Sequence, residues 1–349
     1  MNGILAIIGL GSQSFQRSEC EVLILTSSVR YSGKTDIGKK RQTNQDHFLV
    51  ADLSRSLCLG ATSLDIAADS RLFGDPLGHL FLVADGMGGH QAGSRASELA
   101  IKYIVSSVLN GLRLVSRPEA GVDQLFMEAL KTALNAAHRA IVTDSEGDQS
   151  LRGMGTTLTM AYVCWPKMWV VHAGDTRCYV LRNGGLHQLT RDHTLANQMA
   201  SQGLLQTDQK ERSRWSNVLW NALGAEAEDI VADVHQIRVQ VGDRILLCSD
   251  GLNKHVTDDE LIPILSRDDL PDQICQALID LTNERGGTDN VTAIVVDIVQ
   301  PPSSELVTSI STPRAQESIL GKHIDYSRVI GETTEEIDGD TESVDTLEY

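Results

Sequence analysis

The sequence predicts an α+β protein: a β-sandwich of two antiparallel sheets flanked on both sides by pairs of helices. Three observations carry that expectation. Strand-like runs follow one another through tight turns such as Trp165-Pro166-Lys167 and Asn183-Gly184-Gly185, which make hairpins rather than parallel crossovers. Helical periodicity comes in pairs, once after residue 94 and once after residue 257. Paired helices of this kind cover the outer faces of sheets, and two sheets so covered pack face to face.

The elements follow in chain order. Residues 21–35 read as strand, beginning with Glu21-Val22-Leu23-Ile24-Leu25. His47 to Asp52 is a second strand, and Leu80 to Ala84 is a third that ends at Asp85. Residues 54–78 between them are polar and irregular, an insertion or a long hairpin loop; loops of that length often carry function. Ser94 to Leu112 has apolar residues at helical spacing (Leu99, Ile101, Ile104, Val105, Val108, Leu109), and a second helix covers about 122–143. Strands return at Thr156–Cys164, Met168–His172 and Cys178–Arg182. Residues 192–224 read as helical and polar. Val234–Val239 and Arg244–Cys248 are strands around a Gly242-Asp243 turn. Thr257-Asp258-Asp259-Glu260 is a capping box that opens a helix. The next helix, Asp272 to Arg285, has Pro271 at its start and Gly286-Gly287 past its end. Val291–Val299 is the last strand.

Composition narrows the function classes. A net charge of −17 argues against nucleic-acid binding and against docking on an anionic membrane. No apolar run reaches a membrane span, and the apolar start, Ile4 to Leu10, lacks the basic residues of a signal peptide. The six cysteines have no CxxC spacing and read as reduced thiols of a cytoplasmic protein. Residues 1–20 are an N-terminal extension, and one domain covers 21–300. The segment 301–349 holds eleven acids against three bases, a composition expected of a disordered tail, either solubilising or autoregulatory.

Chemistry concentrates in five short motifs. They are Arg41-Gln42-Thr43-Asn44-Gln45-Asp46, Val83-Ala84-Asp85-Gly86-Met87-Gly88-Gly89-His90, Ala173-Gly174-Asp175-Thr176-Arg177, Cys248-Ser249-Asp250-Gly251 and Gly287-Thr288-Asp289-Asn290-Val291-Thr292. Each Asp sits at the end of an apolar run or beside a Gly, where a strand leaves the core. A single Asp of this kind is most often a turn residue. Five in this order suggest one site for hard cations, which take oxygen ligands.

With these motifs the chain resembles the bacterial metal-dependent Ser/Thr protein phosphatases of the PPM (type 2C) family, from about Arg30 to Val299. The resemblance implies hydrolysis of phosphoserine and phosphothreonine in proteins, opposing a Ser/Thr protein kinase. It implies two or three Mn2+ or Mg2+ ions that activate a bridging hydroxide. It assigns Asp85 as the carboxylate shared by both ions, the Gly86 carbonyl to one ion, and Asp250 with Asp289 to the other. Asp46 would order water on the ions, and Asp175 with Asp250 would form a third site. Arg41 would clamp the phosphate, since its planar fork matches phosphate oxygens. Met87 stands where eukaryotic relatives carry a His, and a thioether donates no proton. His90 is the candidate proton donor, with a backbone-bonding role in the Gly-rich turn as the alternative. Arg191-Asp192-His193 falls where the family has a mobile flap, about 192–215 here; substrate contact competes there with a simple helix start capped by Asp192. Two other classes stay open: a regulatory binding module on this fold, and a hydrolase of small phosphoesters.

Overall fold

The structure, a computed structural model, describes residues 29–58, 71–89, 91–111, 122–206, 209, 213–225, 230–299 and 310–311. In chain order, β1 (Val29–Asp36), β2 (Asp46–Cys58) and β3 (Arg71–Met87) precede two long helices, α1 (Gln91–Gly111) and α2 (Val122–Glu146). Next come β4 (Gly155–Thr156), β5 (Leu158–Cys164), β6 (Lys167–Ala173), β7 (Arg177–Arg182) and β8 (Gly185–Gln188). Helix α3 (Leu195–Ser201) leads to β9 (Leu223–Gly224), β10 (Asp233–Arg238) and β11 (Arg244–Cys248). Three helices follow, α4 (Asp250–Asn253), α5 (Asp258–Leu265) and α6 (Pro271–Glu284), and then β12 (Val291–Ile298). The two-residue strand β13 (Ile310–Ser311) pairs with β3.

Every strand pairing is antiparallel. One sheet has the order β1-β12-β11-β7-β8; the other runs β10-β6-β5-β3, with β2 on the far side of β3. The inner faces meet in one core, which includes Phe81, Val83, Val170, Cys178, Val180, Ile245, Leu247, Ile294 and Val296. Strand side chains alternate between faces. Leu80, Leu82 and Ala84 of β3 therefore turn the other way and pack under α1 and α2 with Ile104, Phe126 and Leu134. Likewise Val291, Ala293 and Val295 of β12 pack under α5 and α6 with Leu261, Ile274 and Leu278. Both faces of these strands are dry, so their sequences read as unbroken apolar runs. The result is the expected sandwich with helices outside.

The capping box forms as expected: Glu260 Oε2 accepts from the Thr257 backbone N–H at 3.0 Å. The helical reading of 192–224 is corrected. Among the described residues there, only Leu195–Ser201 is an α-helix, opened by Thr194, whose side chain accepts from Asn197 N, and followed by Gly203 at φ 72. Beyond it the chain turns back, bridges Leu219 to Thr194, and enters β9. Polar residues gave that stretch helical character in sequence, but long-range pairing decided its course. The 54–78 segment is more regular than an irregular insertion. β2 and β3 pair on through it as hairpin arms to Cys58 and Arg71, with register shifts between Leu53 and Ser56. The hairpin tip, the N-terminal extension 1–20, residue His90 and nearly all of 301–349 lie outside the described residues.

Candidate active site

All five acids meet at one edge of the sandwich, and the strand register explains how. Asp46 opens β2 and Asp85 nears the end of β3, and the two are direct partners in the antiparallel ladder. Asp175 sits in the turn from β6 to β7, where the chain passes from one sheet to the other. Asp250 opens α4 directly after β11, and Asp289 lies just before β12, the neighbour of β11. Asp85, Gly86, Asp175, Asp250 and Asp289 line one cavity of about 560 Å³, together with Arg41, Met87 and Lys254.

Two glycines permit this convergence. A Cβ on Gly251 would overlap the backbone carbonyl of Asn290, so only glycine lets α4 lie against the Asp289 loop. A Cβ on Gly86 would strike the carbonyl of Gly93 at the start of α1. Asn290 fastens the loops from the other side. Its amide donates to the carbonyls of Ile37 and Thr43, each at 3.0 Å, and its carbonyl oxygen accepts from Gln45 N at 2.9 Å.

Asp46 is buried and held from one side. Ser249 Oγ and Thr292 Oγ1 both donate to its Oδ2 at 2.7 Å, while its buried Oδ1 has no partner. Burial pushes its carboxyl up to about 6, assisted by the charges of Asp250 and Asp289 and opposed by the two hydroxyls. Asp85 and Asp175 are also raised well above the usual range. For Asp85 the causes are burial, then Asp46 and Asp250; for Asp175 they are burial, then Asp250 and Asp192. Crowded carboxylates in a site of low polarity cannot all stay ionised without positive charge.

Two cations supply part of that charge. Lys254 Nζ lies 2.6 Å from Asp250 Oδ2 and 2.8 Å from Asp289 Oδ2. Arg41 contacts Asp289 through both ends of its fork, Nε to Oδ1 at 2.7 Å and Nη2 to Oδ2 at 2.8 Å. Burial opposes ionisation of Asp289, but these bonds outweigh it and hold its carboxyl below the usual range. Burial also disfavours the Lys254 charge, and the two carboxylates overcome it and raise its ammonium above the ordinary value.

The donor set suits a hard divalent cation. All its side-chain donors are carboxylate oxygens, the buried Oδ1 of Asp46 and that of Asp250 lack partners, and an ammonium already stands between two of the acids. As they stand, no three such side chains among the described residues converge tightly enough to hold an ion. Asp289 is turned onto Arg41 and Lys254 instead.

Beside this cavity runs a groove of about 710 Å³, which shares Asp175, Asn217, Asp250 and Lys254 with it. Here the helix-cap alternative for Asp192 is corrected. Thr194 caps α3, and Asp192 lies in the groove wall in an ion pair with Arg177, with Nη2 to Oδ2 at 2.7 Å. His193 is buried, and its Nδ1 lies 2.8 Å from Asn221 Nδ2. Arg191 alone of the three stays exposed, and it lines the groove.

The motifs contained some residues whose work was not read from sequence. Ser249 and Thr292 lie inside quoted motifs, yet nothing local shows that both reach Asp46, 203 and 246 positions away. Lys254 was missed altogether. Its i,i+4 spacing from Asp250 on a helix was the available signal.

Comparison with known proteins agrees with this fold. The family described as Protein phosphatase 2C matches residues 68–282. The serine/threonine phosphatase stp of Listeria monocytogenes is 33% identical over 218 residues, 62% of this chain and 84% of that protein. The crystal structure of the Mycobacterium tuberculosis serine/threonine phosphatase PstP/Ppp superposes with a TM-score of 0.62 at 29% identity, covering 78% of this chain and 99% of that one. A structure of the PstP catalytic domain in complex with two manganese ions gives a TM-score of 0.60 at 29% identity, covering 78% and 98%. A sandwich that brings five acids from both sheets to one edge defines a metal-dependent phosphatase of the PPM type. The chain belongs to the protein phosphatase 2C family, the PPM-type serine/threonine protein phosphatases.

Proposed function

We propose that this protein removes phosphate from phosphoserine and phosphothreonine in other proteins, using two or three Mn2+ or Mg2+ ions held by Asp85, the Gly86 carbonyl, Asp175, Asp250 and Asp289. One observation carries the reading. Acids from both sheets line a single cavity, and a buried oxygen of Asp250 in its wall, like one of the neighbouring Asp46, is without a hydrogen bond. Divalent ions bound there would act as Lewis acids and provide an activated water.

The chain's own residues would do the rest. Asp85 has its backbone fixed by Thr157, whose Oγ1 accepts from Asp85 N at 3.0 Å, so its carboxylate is presented from a rigid strand end. Asp46, oriented by Ser249 and Thr292, would hold water beside the ions, as outer ligands do in metal sites. Arg41 would exchange part of its bond to Asp289 for the incoming phosphate, which a guanidinium grips at two oxygens. Met87 lines the cavity and offers no proton, so the leaving alkoxide needs another donor; His90, three residues on, is the nearest candidate in sequence. The adjoining groove has room for a peptide flanking the phosphorylated residue, which favours protein substrates over small phosphoesters.

Reversal of a Ser/Thr kinase and a cytoplasmic location are part of the same proposal. None of the described helices is long and apolar enough to cross a membrane. The test is hydrolysis of a phosphothreonine peptide with manganese, with and without chelator, beside Asp250→Asn. Turnover should vanish with chelator and fall at least about 100-fold in the variant. Turnover that survives both would sink the reading, and faster hydrolysis of nucleotides or sugar phosphates would redirect it to small substrates.

A further inference from the structure

Lys254 stands at the meeting point of the acid cavity and the groove, and lines both. Its ammonium spans Asp250 and Asp289 at 2.6 and 2.8 Å. It caps the C-terminal end of α4, the helix that Asp250 itself opens, and its backbone N–H bonds the Asp250 carbonyl, so the backbone keeps it within reach of the pair. The side chain is partly exposed, at 28%, which leaves it a path outward.

We propose that Lys254 is a built-in cation of the acid site: it competes with a divalent ion for Asp250 and Asp289, and moves toward the groove when that ion binds. This rests on the metal-dependent reading above. A divalent ion and an ammonium cannot share the same carboxylate oxygens at contact distance, because their charges repel. The site is open to the ion only in the fraction of molecules whose lysine has moved away, and the apparent affinity falls by that fraction. A displaced ammonium would then sit in the groove, where a phosphorylated segment brings negative charge. Arg41 differs in this respect. It is about half exposed, bonds Asp289 and not Asp250, and comes from the loop between β1 and β2.

The test uses the full chain stripped of metal and titrated with manganese in a calorimeter, comparing wild type with Lys254→Met, Lys254→Gln and Lys254→Arg. Removing the charge should tighten manganese binding about tenfold in the Met and Gln variants. The Arg variant keeps the charge and should bind more weakly than either. A second readout is melting temperature in chelator. It should drop in the Met and Gln variants, whose acids lose their counter-charge, and rise further than wild type on manganese addition. Equal manganese affinity in wild type, Met and Gln variants overturns the role of Lys254 while leaving the metal site intact. A wild-type protein that binds no manganese overturns both this inference and the metal reading. Two neutral variants are used because Met removes polarity as well as charge.

Discussion

Replacing Arg177 tests how the acid site is braced. Arg177 follows Asp175 by two residues and locks the turn to the Asp192 segment. Its Nε donates to both oxygens of Asp192 at 3.0 and 3.1 Å, its Nη2 donates at 2.7 Å, and its Nη1 donates to Tyr179 Oη at 2.9 Å. Both side chains are well shielded, 18% and 11% exposed. Breaking such a pair from one side strands a buried charge and costs about 3–5 kcal/mol. Gln188 Nε2 still donates to Asp192 Oδ1 at 3.0 Å, which softens the loss. The expectation for Arg177→Met is therefore the low end, about 3 kcal/mol. At a urea slope of about 2–3 kcal/mol/M, the unfolding midpoint should fall by about 1 M or more. Arg177→Met/Asp192→Leu removes both charges and should recover most of that loss, since apolar replacement of a buried pair is often neutral. Urea unfolding of the three proteins at neutral pH in chelator measures it. A loss below about 1 kcal/mol for the single variant, or no recovery in the double, would refute the argument.

Two further outcomes follow from the site. Asp46 has a folded value of about 6, above the ordinary 3.8, so the folded protein binds its proton more readily than the unfolded chain. Its contribution therefore destabilises at neutral pH, and that penalty is relieved as pH falls from about 6 toward 4. Asp46→Asn is neutral throughout, so its stability advantage over wild type in chelator should be larger at pH 7.5 than at pH 4.5; a pH-independent difference contradicts the assignment. Gly251→Ala places a methyl against the carbonyl of Asn290 and should cost about 1–3 kcal/mol, read as a lower melting temperature with weakened manganese binding. An unchanged melting temperature would mean that α4 has room to shift.

Much of this protein is legible in one dimension. Apolar runs ending in Asp marked β3, β11 and the turn before β7, because a strand dry on both faces must be apolar until it reaches the edge. Hairpin turns between those runs implied antiparallel sheets, and paired helices implied the outer layers; the strand ladders bear this out. The family motifs named the acids, since each needs only local context to be recognised. What sequence could not supply is which groups meet across the sandwich. Thr292 reaches Asp46 from another sheet, and Asn290 ties β12 to the loop after β1. The 192–224 stretch turned from expected helix into one short helix, turns and short strand because some of its bonds are long-range: His193 N donates to the Gly174 carbonyl, Leu195 N to Val218 and the Asn221 amide to Val231. Lys254 between Asp250 and Asp289 belongs to the same class: helical spacing gives one of its partners, and only the packing of α4 against the β12 loop gives the other. Local chemistry is written residue by residue, whereas charge pairing at a site depends on distances that exist only once the two sheets have closed on each other.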